Sequence, residues 1–465
     1  MQKILFILVC FLFVFIPLYP KFPLVNVAGT FVAVRLEDIF IAATLLLFGI
    51  HIILSGKLVS FLKDKLNQSL MLFFFIGVVS LISANFLTHT VVPHLSFLHW
   101  ARRVEFMMLL PLVATVIRSK KQLIAALLVL SSVVAFVNIY ALGQQYLNWP
   151  VISTTSSEAS KGLILKLTSG ARVNSTFAGH YDLAVFLAMT LVMLSAMFFV
   201  VVRLAKIWTA VLGVLSFWVL IMTAARLSFV AATAGIIISL ILIGKKKYLL
   251  LLVLGLALVL IYPSQLRDRL ISTVTINIFG RGERYQGQTE DQRLRSRLNI
   301  PTLAIKTSSE SAETSTFASP SGQTATDIAP GEPVDTTELG VYRSFAIRLN
   351  LEWPRAITAF LKNPALGTGY SSLGIATDND ILRSLGEVGL LGTIAFGLVL
   401  IEGLKRIWSQ MKSPDKLLKY FSIGVFSMII AFLINGLFID VFEASKAASL
   451  FWMILGANLA VKNFK

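Results

Sequence analysis

The sequence predicts an all-α polytopic membrane protein with about twelve transmembrane helices and a large extracytoplasmic loop between helices 9 and 10. Three observations predict this fold class. The 465 residues are 56% hydrophobic and 14% charged, whereas a soluble domain carries about 25% charged residues. Apolar runs long enough to cross the hydrocarbon recur along the chain. The excess of Lys and Arg lies in alternate loops, which is typical of a membrane protein and argues against nucleic-acid binding.

Twelve apolar segments are predicted to cross the membrane as helices. The first could be a signal peptide, but its apolar stretch is long and no small-x-small cleavage site follows, so we expect an anchor. Cys10 lies in that stretch, and a single cysteine excludes a disulfide within the chain. The predicted spans are residues 4–20, 37–54, 68–87, 104–117, 122–142, 181–202, 207–224, 227–244, 248–263, 386–404, 420–439 and 445–461.

The distribution of Lys and Arg predicts the orientation. With both termini cytoplasmic, Lys and Arg in the cytoplasmic segments outnumber those in the short outer loops by about three to one, as the positive-inside rule requires. We therefore expect a multi-pass protein of the cytoplasmic (inner) membrane, embedded in its lipid bilayer.

Three regions follow from this plan. Residues 1–263 hold helices 1–9, residues 264–385 form the large extracytoplasmic loop, and residues 386–465 hold helices 10–12. Within the loop, residues 307–337 are rich in Ser and Thr and contain no Lys or Arg. That composition cannot bury a core and predicts a flexible insert. The segment before the insert, residues 267–297, is basic.

Several arginines stand where the positive-inside bias disfavours them, at the predicted outer ends of the spans. An arginine near the hydrocarbon boundary is costly unless it snorkels or meets an anion. Its planar guanidinium suits a phosphate, so arginines gathered on one face would suit a diphosphate at the lipid surface. Alternatively, each one snorkels to headgroups or pairs with a neighbour such as Glu105 or Glu352. They are Arg102, Arg103, Arg172, Arg226 and Arg348.

The end of the long loop, residues 341–374, has a spacing of apolar residues that favours a helix near the membrane surface. On a helix, Arg348 and Glu352 can pair, because they are four residues apart. Trp353 suits the membrane interface, and Pro354 would kink or restart the helix. A turn rich in helix breakers follows, and glycines at three-residue spacing then predict close helix packing at the start of span ten.

Taken in order, these segments resemble the O-antigen ligase and O-antigen polymerase superfamily of membrane glycosyltransferases. The resemblance covers the twelve-span plan and the loop between spans nine and ten. Two shorter matches are the turn with Arg226, which has Ala225 where the family has Ser, and residues 172–177 before span six. The most specific match is formed by Arg348, Trp353, Pro364, Gly367, Gly369, Asp378, Asn379, Gly389 and Gly392.

The resemblance implies metal-independent, inverting transfer of a glycan from undecaprenyl diphosphate to an acceptor glycan or glycolipid, without a cofactor. The acceptor would be lipid A–core for a ligase or another lipid-linked repeat unit for a polymerase, and a chain-length regulator could be a partner. The resemblance implies that Arg226, Arg348 and Arg172 bind the diphosphate. Trp353, Asn379, Gly367 and Gly369 support the site.

The candidate base departs from the family pattern. The ligases have a His that takes the proton of the acceptor hydroxyl, and this chain has Asp378 there. The difference favours polymerase slightly over ligase. An Asp is a weak base for a sugar hydroxyl, but partial burial would raise its pKa. His180, just inside span six, is the alternative base.

Two other functions stay open at this point. Asp378 and Asp380 could form an Asp-x-Asp metal site of a metal-dependent lipid-linked glycosyltransferase, although such sites need more ligands than two. A lipid-oligosaccharide flippase or other transporter is the second, although the charged residues lie at span ends rather than at mid-membrane.

Overall fold

Apolar runs separated by polar turns fold into helices in this chain, because a lipid-facing backbone must satisfy its hydrogen bonds within its own helix. The computed structural model describes residues 1–28, 33–151, 166–167, 171–275, 324–325, 337–374 and 376–463. Its helices are α1 (Gln2–Leu18), α2 (Leu36–Leu54), α3 (Leu58–Lys63), α4 (Lys65–Ser83), α5 (Pro93–Val116), α6 (Lys120–Tyr146), α7 (His180–Met197), α8 (Arg203–Met222), α9 (Arg226–Ile243), α10 (Leu249–Ile261), α11 (Gln265–Thr275), α12 (Thr337–Ile347), α13 (Trp353–Lys362), α14 (Asp380–Gln410), α15 (Lys416–Gly436) and α16 (Ser445–Leu459).

Short elements complete the described part. π-helical turns follow α4 (Ala84–Thr88) and α12 (Arg348–Glu352), and 3-10 turns lie at Lys246–Tyr248 and Ala460–Asn463. Strand β1 (Pro23–Val25) pairs antiparallel with β2 (Val34–Arg35), and β3 (Lys166–Leu167) pairs parallel with β4 (Thr324–Ala325).

Eight helices within the described ranges are long and apolar enough to cross a membrane: α2, α4, α6, α7, α8, α9, α14 and α15. The pair α10 and α11, bent by 89°, would supply a ninth span. Helices also occupy the other predicted spans, but α1 has 17 residues, α16 has 15 and α5 carries Arg102, Arg103 and Glu105. The protein is therefore a multi-pass helical membrane protein, and the count of about twelve spans stays a prediction.

Helix α7 lies at the centre of the bundle. It packs against α8, α9 and α15, while α16 packs on α5 and α14 packs on α4. Its sequence is apolar on every face, as expected of a helix surrounded by others. The start of α7 therefore has a fixed position relative to the start of α9.

A buried lysine fixes the segment that leads into α7. Lys446, on α16, has no exposed surface, and its Nζ donates hydrogen bonds to the carbonyls of Pro17, Tyr19 and Thr176, at 3.0, 2.7 and 2.6 Å. These three acceptors use the full donor capacity of an ammonium group. The contact joins α1, α16 and residues 172–177.

The structure tests the loop predictions in part. Much of residues 341–374 is helical, as α12, the π-helical turn and α13, and α13 restarts with Pro354 in its first turn. The position of this segment near the membrane surface stays a prediction. The predicted flexible insert, residues 307–337, lies outside the described residues except for residues 324–325 and 337.

Candidate functional site

Helix α14 is broken one turn inside its predicted span. Gly389 has φ 66° and ψ −168°, a conformation that residues with a Cβ rarely adopt. A Cβ on Gly389 would lie 2.5 Å from the backbone of Ala365. The sequence predicted close helix packing at this glycine. In the structure, Gly389 instead breaks the helix, and the break packs against the turn that contains Ala365.

The turn at residues 364–369 binds the backbone groups that the break releases. The N–H groups of Thr368 and Gly369 donate to the carbonyls of Gly386 and Glu387, both at 2.8 Å. In return, the N–H groups of residues 390 and 391 donate to the carbonyls of residues 364 and 365, at 2.8 and 3.1 Å. Gly367 has φ 68°, and a Cβ there would lie 2.5 Å from the carbonyl of Glu387. Gly367 and Gly369 thus help to fix the start of α14, and their supporting role in a functional site stays a prediction.

Asp440 orders the loop that carries Asp378. Its carboxylate accepts the backbone N–H groups of Thr377, Asp378 and Asn379 at 2.7, 3.1 and 3.2 Å. It also pairs with Arg383 at 2.7 Å. Three consecutive amides on one carboxylate hold Asp378 in its left-handed conformation, with φ 50°.

Asn379 and Asp380 have structural roles in the same loop. The side chain of Asn379 caps α14 by accepting the N–H of Leu382 at 2.9 Å. The carboxylate of Asp380 accepts the N–H groups of Val441 and Phe442, at 3.1 and 3.4 Å. Asp378 and Asp380 therefore bind different partners, an arrangement that offers no support to a shared metal site.

Arg348 pairs with Asp378 and not with Glu352. Its Nη2 donates to Oδ2 of Asp378 at 2.7 Å, and its Nη1 donates to the hydroxyl of Ser344 at 2.5 Å. The predicted pairing with Glu352 is wrong, because Arg348–Glu352 is a π-helical turn. Its i→i+5 hydrogen bonds widen the turn, so that residues four apart no longer face each other as they do in an α-helix.

Arg226 is the first residue of α9, after a connection from α8 of only residues 223–225. Its Nη1 donates to the hydroxyl of Thr273 on α11, and its guanidinium carbon lies 5.7 Å from the centre of the Phe345 ring on α12. Arg226 thus joins the start of α9 to α11 and to the helix that leads to Arg348.

Arg172 contacts the alternative base. Its Nη1 lies 2.9 Å from Nε2 of His180, the first residue of α7. A guanidinium only donates hydrogen bonds, so Nε2 accepts and its lone pair is occupied. The segment around Arg172 is anchored by Ser175, whose N–H donates to Gln144 at 2.7 Å.

Three of the predicted arginines therefore belong to one cluster. Arg226 lies within electrostatic range of Arg172, Arg348 and a further arginine, Arg269. Arg269 also acts on His180 and is 7% exposed. We call these four residues the arginine cluster. Sequence reasoning missed Arg269 as a site residue, although it lies in the basic segment 267–297.

The other two arginines named from the sequence contact carboxylates elsewhere. Arg102 pairs with Asp38 at 3.1 Å, and Arg103 pairs with Glu443. Both residues therefore form ion pairs, but their partners are Asp38 and Glu443 and not the Glu105 and Glu352 named from the sequence. Sequence reasoning also missed the buried Arg383, whose Nε lies 3.4 Å from Glu387.

The wall of the site beside Asp378 is formed by the π-helical turn and the start of α13. The Trp353 and Phe438 rings contact each other at an interplanar angle of 46°, with ring centres 6.0 Å apart, and the indole N–H of Trp353 is buried. Arg355 donates to the carbonyl of Ala376 at 2.6 Å. Burial raises the pKa of Asp378, while the charge of Arg348 opposes that rise. Burial also raises the pKa of Glu352, to about 7.

Neither a scan against protein-family models nor a search of curated proteins found a match for this chain.

Proposed function

We propose that this protein is a glycosyltransferase of the O-antigen ligase and polymerase type, which moves a glycan from undecaprenyl diphosphate to an acceptor glycan or glycolipid. The observation that carries the proposal is the arginine cluster. Its four residues come from separate parts of the chain, and Arg172, Arg269 and Arg348 lie within electrostatic range of Arg226. Four guanidinium groups close together repel one another, and a bound anion would offset this repulsion. The cluster therefore favours an anionic ligand.

The position of the cluster suits a lipid-linked diphosphate. Arg226 opens α9, and His180, which Arg172 contacts, opens α7. Helix starts carry partial positive charge and free N–H groups, which favour bound anions. The two helices have the length and composition of membrane spans, so an anion between their starts would lie near the membrane surface, where the diphosphate of a polyprenyl lipid resides.

The reaction follows from this charge distribution. The acceptor oxygen attacks the anomeric carbon, the bond from that carbon to the phosphate oxygen breaks, and undecaprenyl diphosphate leaves with the electron pair. Guanidinium groups stabilise the charge that grows on the leaving diphosphate. No metal is needed for this, and attack opposite the leaving group inverts the configuration at the sugar.

Asp378 and His180 remain the sequence-derived candidates for the base. Asp378 lies beside Arg348 on an ordered loop, 2.7 Å from its guanidinium, whereas Nε2 of His180 already accepts from Arg172. This geometry favours Asp378 or a group close to it, over His180, as the base that takes the acceptor proton. Polymerase remains slightly preferred over ligase, because Asp378 replaces the ligase His. The expected location is the cytoplasmic membrane, with both termini cytoplasmic and a chain-length regulator as a possible partner.

The test is transfer in proteoliposomes from an undecaprenyl-diphosphate-linked oligosaccharide. Arg226→Ala and Arg348→Ala should each abolish transfer while insertion into the membrane is kept. Arg203→Ala is the matched control, because Arg203 is an exposed arginine at the start of α8. Full activity of both cluster variants would refute the proposed role. A ladder of products indicates a polymerase, and a single addition to lipid A–core indicates a ligase.

A lipid-oligosaccharide flippase is the second candidate function, because a broken membrane-spanning helix is common in transporters and α14 is broken at Gly389. The backbone groups at this break are bound by the turn at residues 364–369, which gives the break a structural role. The same proteoliposomes decide between the two functions. Movement of the lipid-linked glycan between leaflets without bond formation would favour the flippase.

A further inference from the structure

Along the chain, Glu352 stands between two arginines that reach the same loop. Arg348 binds Asp378 at 2.7 Å, and Arg355 binds the carbonyl of Ala376 at 2.6 Å. Glu352 is four residues after Arg348 and three before Arg355, at the end of the π-helical turn. The two arginines therefore hold the loop of residues 376–378 against the turn that carries Glu352.

The carboxyl group of Glu352 is buried in this cluster of charges. The residue is 4% exposed, and its buried Oε2 has no hydrogen-bond partner among the described residues. The charged groups that act on it are Asp378, Arg348, Asp440 and Arg355. The indole N–H of the adjacent Trp353 and the hydroxyl of Thr377, in the loop that the two arginines contact, are also buried without a hydrogen-bond partner in the described part of the chain. A sugar offers hydroxyl groups that both donate and accept, which matches this mixture of polar atoms.

We propose that Glu352 is the group that takes the proton of the acceptor hydroxyl, while Asp378 is bound to Arg348. This role rests on the proposed function. As the acceptor oxygen bonds to the anomeric carbon, its proton passes to the Glu352 carboxylate. The electron pair of the broken bond leaves with undecaprenyl diphosphate. Glu352 then releases the proton to water, which restores the carboxylate.

The electrostatics of the site separate the roles of the two carboxyl groups. Burial raises the pKa of Glu352 to about 7, and the negative charge of Asp378 adds to the rise. A general base is most effective when its pKa lies near the working pH. Burial raises the pKa of Asp378 as well, but the direct contact with Arg348 opposes that rise by favouring the charged form of Asp378.

The first experiment measures the pH dependence of transfer by the full-length protein in proteoliposomes. For the wild type we expect the rate to rise with pH through about 7 and then level off. Glu352→Gln should lower kcat by about 100-fold or more, keep the KM for the donor lipid within about twofold, and lose this rise. Glu352→Asp should restore part of the rate. The same midpoint in Glu352→Gln as in the wild type would overturn the proposal.

A second experiment measures the proton on Glu352 without any turnover. Infrared spectra of the purified protein should contain a protonated carboxyl band that disappears as the pH rises through about 7. The band should be missing from Glu352→Gln and present in Glu402→Gln, whose carboxylate pairs with Lys405 towards the other end of α14. A wild type without this band would overturn the proposal.

The two experiments distinguish the failure of this inference from that of the proposed function. If the wild type transfers no glycan, the proposed function and this role both fail, whatever the infrared titration shows. If the wild type transfers glycan and Glu352→Gln keeps the wild-type pH profile, only the role of Glu352 fails.

Discussion

Arg348 and Asp378 form an ion pair, with 2.7 Å between Nη2 and Oδ2, that joins the π-helical turn after α12 to the loop before α14. The guanidinium is 11% exposed and the carboxylate 29% exposed, so the pair lies at the edge of the protein interior. Asp378 is itself fixed by the hydrogen bond from its N–H to Asp440. The ion pair with Asp378 therefore holds the side chain of Arg348 in position.

Replacing Arg348 with Lys tests whether shape or charge matters at this position. Lysine keeps the positive charge but loses the planar fork that binds Asp378 and Ser344 at once. We expect Arg348→Lys to lower kcat for glycan transfer by about 10-fold or more, on the scale of a lost charge-assisted hydrogen bond. Activity equal to the wild type would show that charge alone suffices.

Gly389→Ala tests the break in α14. The substitution places a Cβ 2.5 Å from the backbone of Ala365 at a φ of 66°, so the turn and the helix must separate. We expect a loss of about 2 kcal/mol or more in stability, measured by thermal unfolding in detergent. Gly397→Ala is the matched control, because a Cβ there meets no atom within 4 Å. Equal melting temperatures for the two variants would contradict the structural role of the break.

The sequence predicted those parts of the site that local patterns mark. The arginines stood out because the positive-inside rule disfavours them, and Pro354 marked the restart of α13. Asp440 carried no such mark, because it meets residues 377–379 only after folding brings α15 and α14 together. The pairing of Arg348 was wrongly predicted because a π-helical turn has no distinct sequence pattern and changes which residues face each other.

Asp440→Ala tests how much the loop of residues 376–379 depends on one carboxylate. The change removes the acceptor of three backbone N–H groups and leaves the buried Arg383 without its 2.7 Å partner. Breaking a buried ion pair from one side costs about 3–5 kcal/mol. We expect a matching loss of thermal stability in detergent. The control is Asp268→Ala, because Asp268 is partly exposed and pairs with its neighbour Arg267. A similar small loss for both variants would count against the loop's dependence on Asp440.

Chelation of divalent metals tests the chemistry that stabilises the leaving group. If guanidinium groups neutralise the diphosphate, EDTA should leave the rate of transfer within about twofold, since Arg is always protonated and needs no metal. The arrangement of Asp380, whose carboxylate accepts two backbone N–H groups, agrees with this expectation. Loss of transfer with EDTA and recovery with added Mg²⁺ or Mn²⁺ would instead favour the metal-dependent transferase.

Glu352→Gln should change the pH dependence of stability in a defined direction. The folded state raises the pKa of Glu352 from 4.5 to about 7, so the folded protein holds this proton more tightly than the unfolded chain does. The stability that this group contributes is fully present below about pH 4.5 and is lost as the pH rises through about 7, with a total near 3 kcal/mol. Gln cannot ionise and avoids that loss. The melting temperature of Glu352→Gln, measured relative to the wild type, should therefore be higher at about pH 8 than at about pH 5, whereas the difference for Glu402→Gln should not rise in this way. An equal difference at both pH values for Glu352→Gln would show that this carboxyl does not titrate in the folded protein near neutral pH.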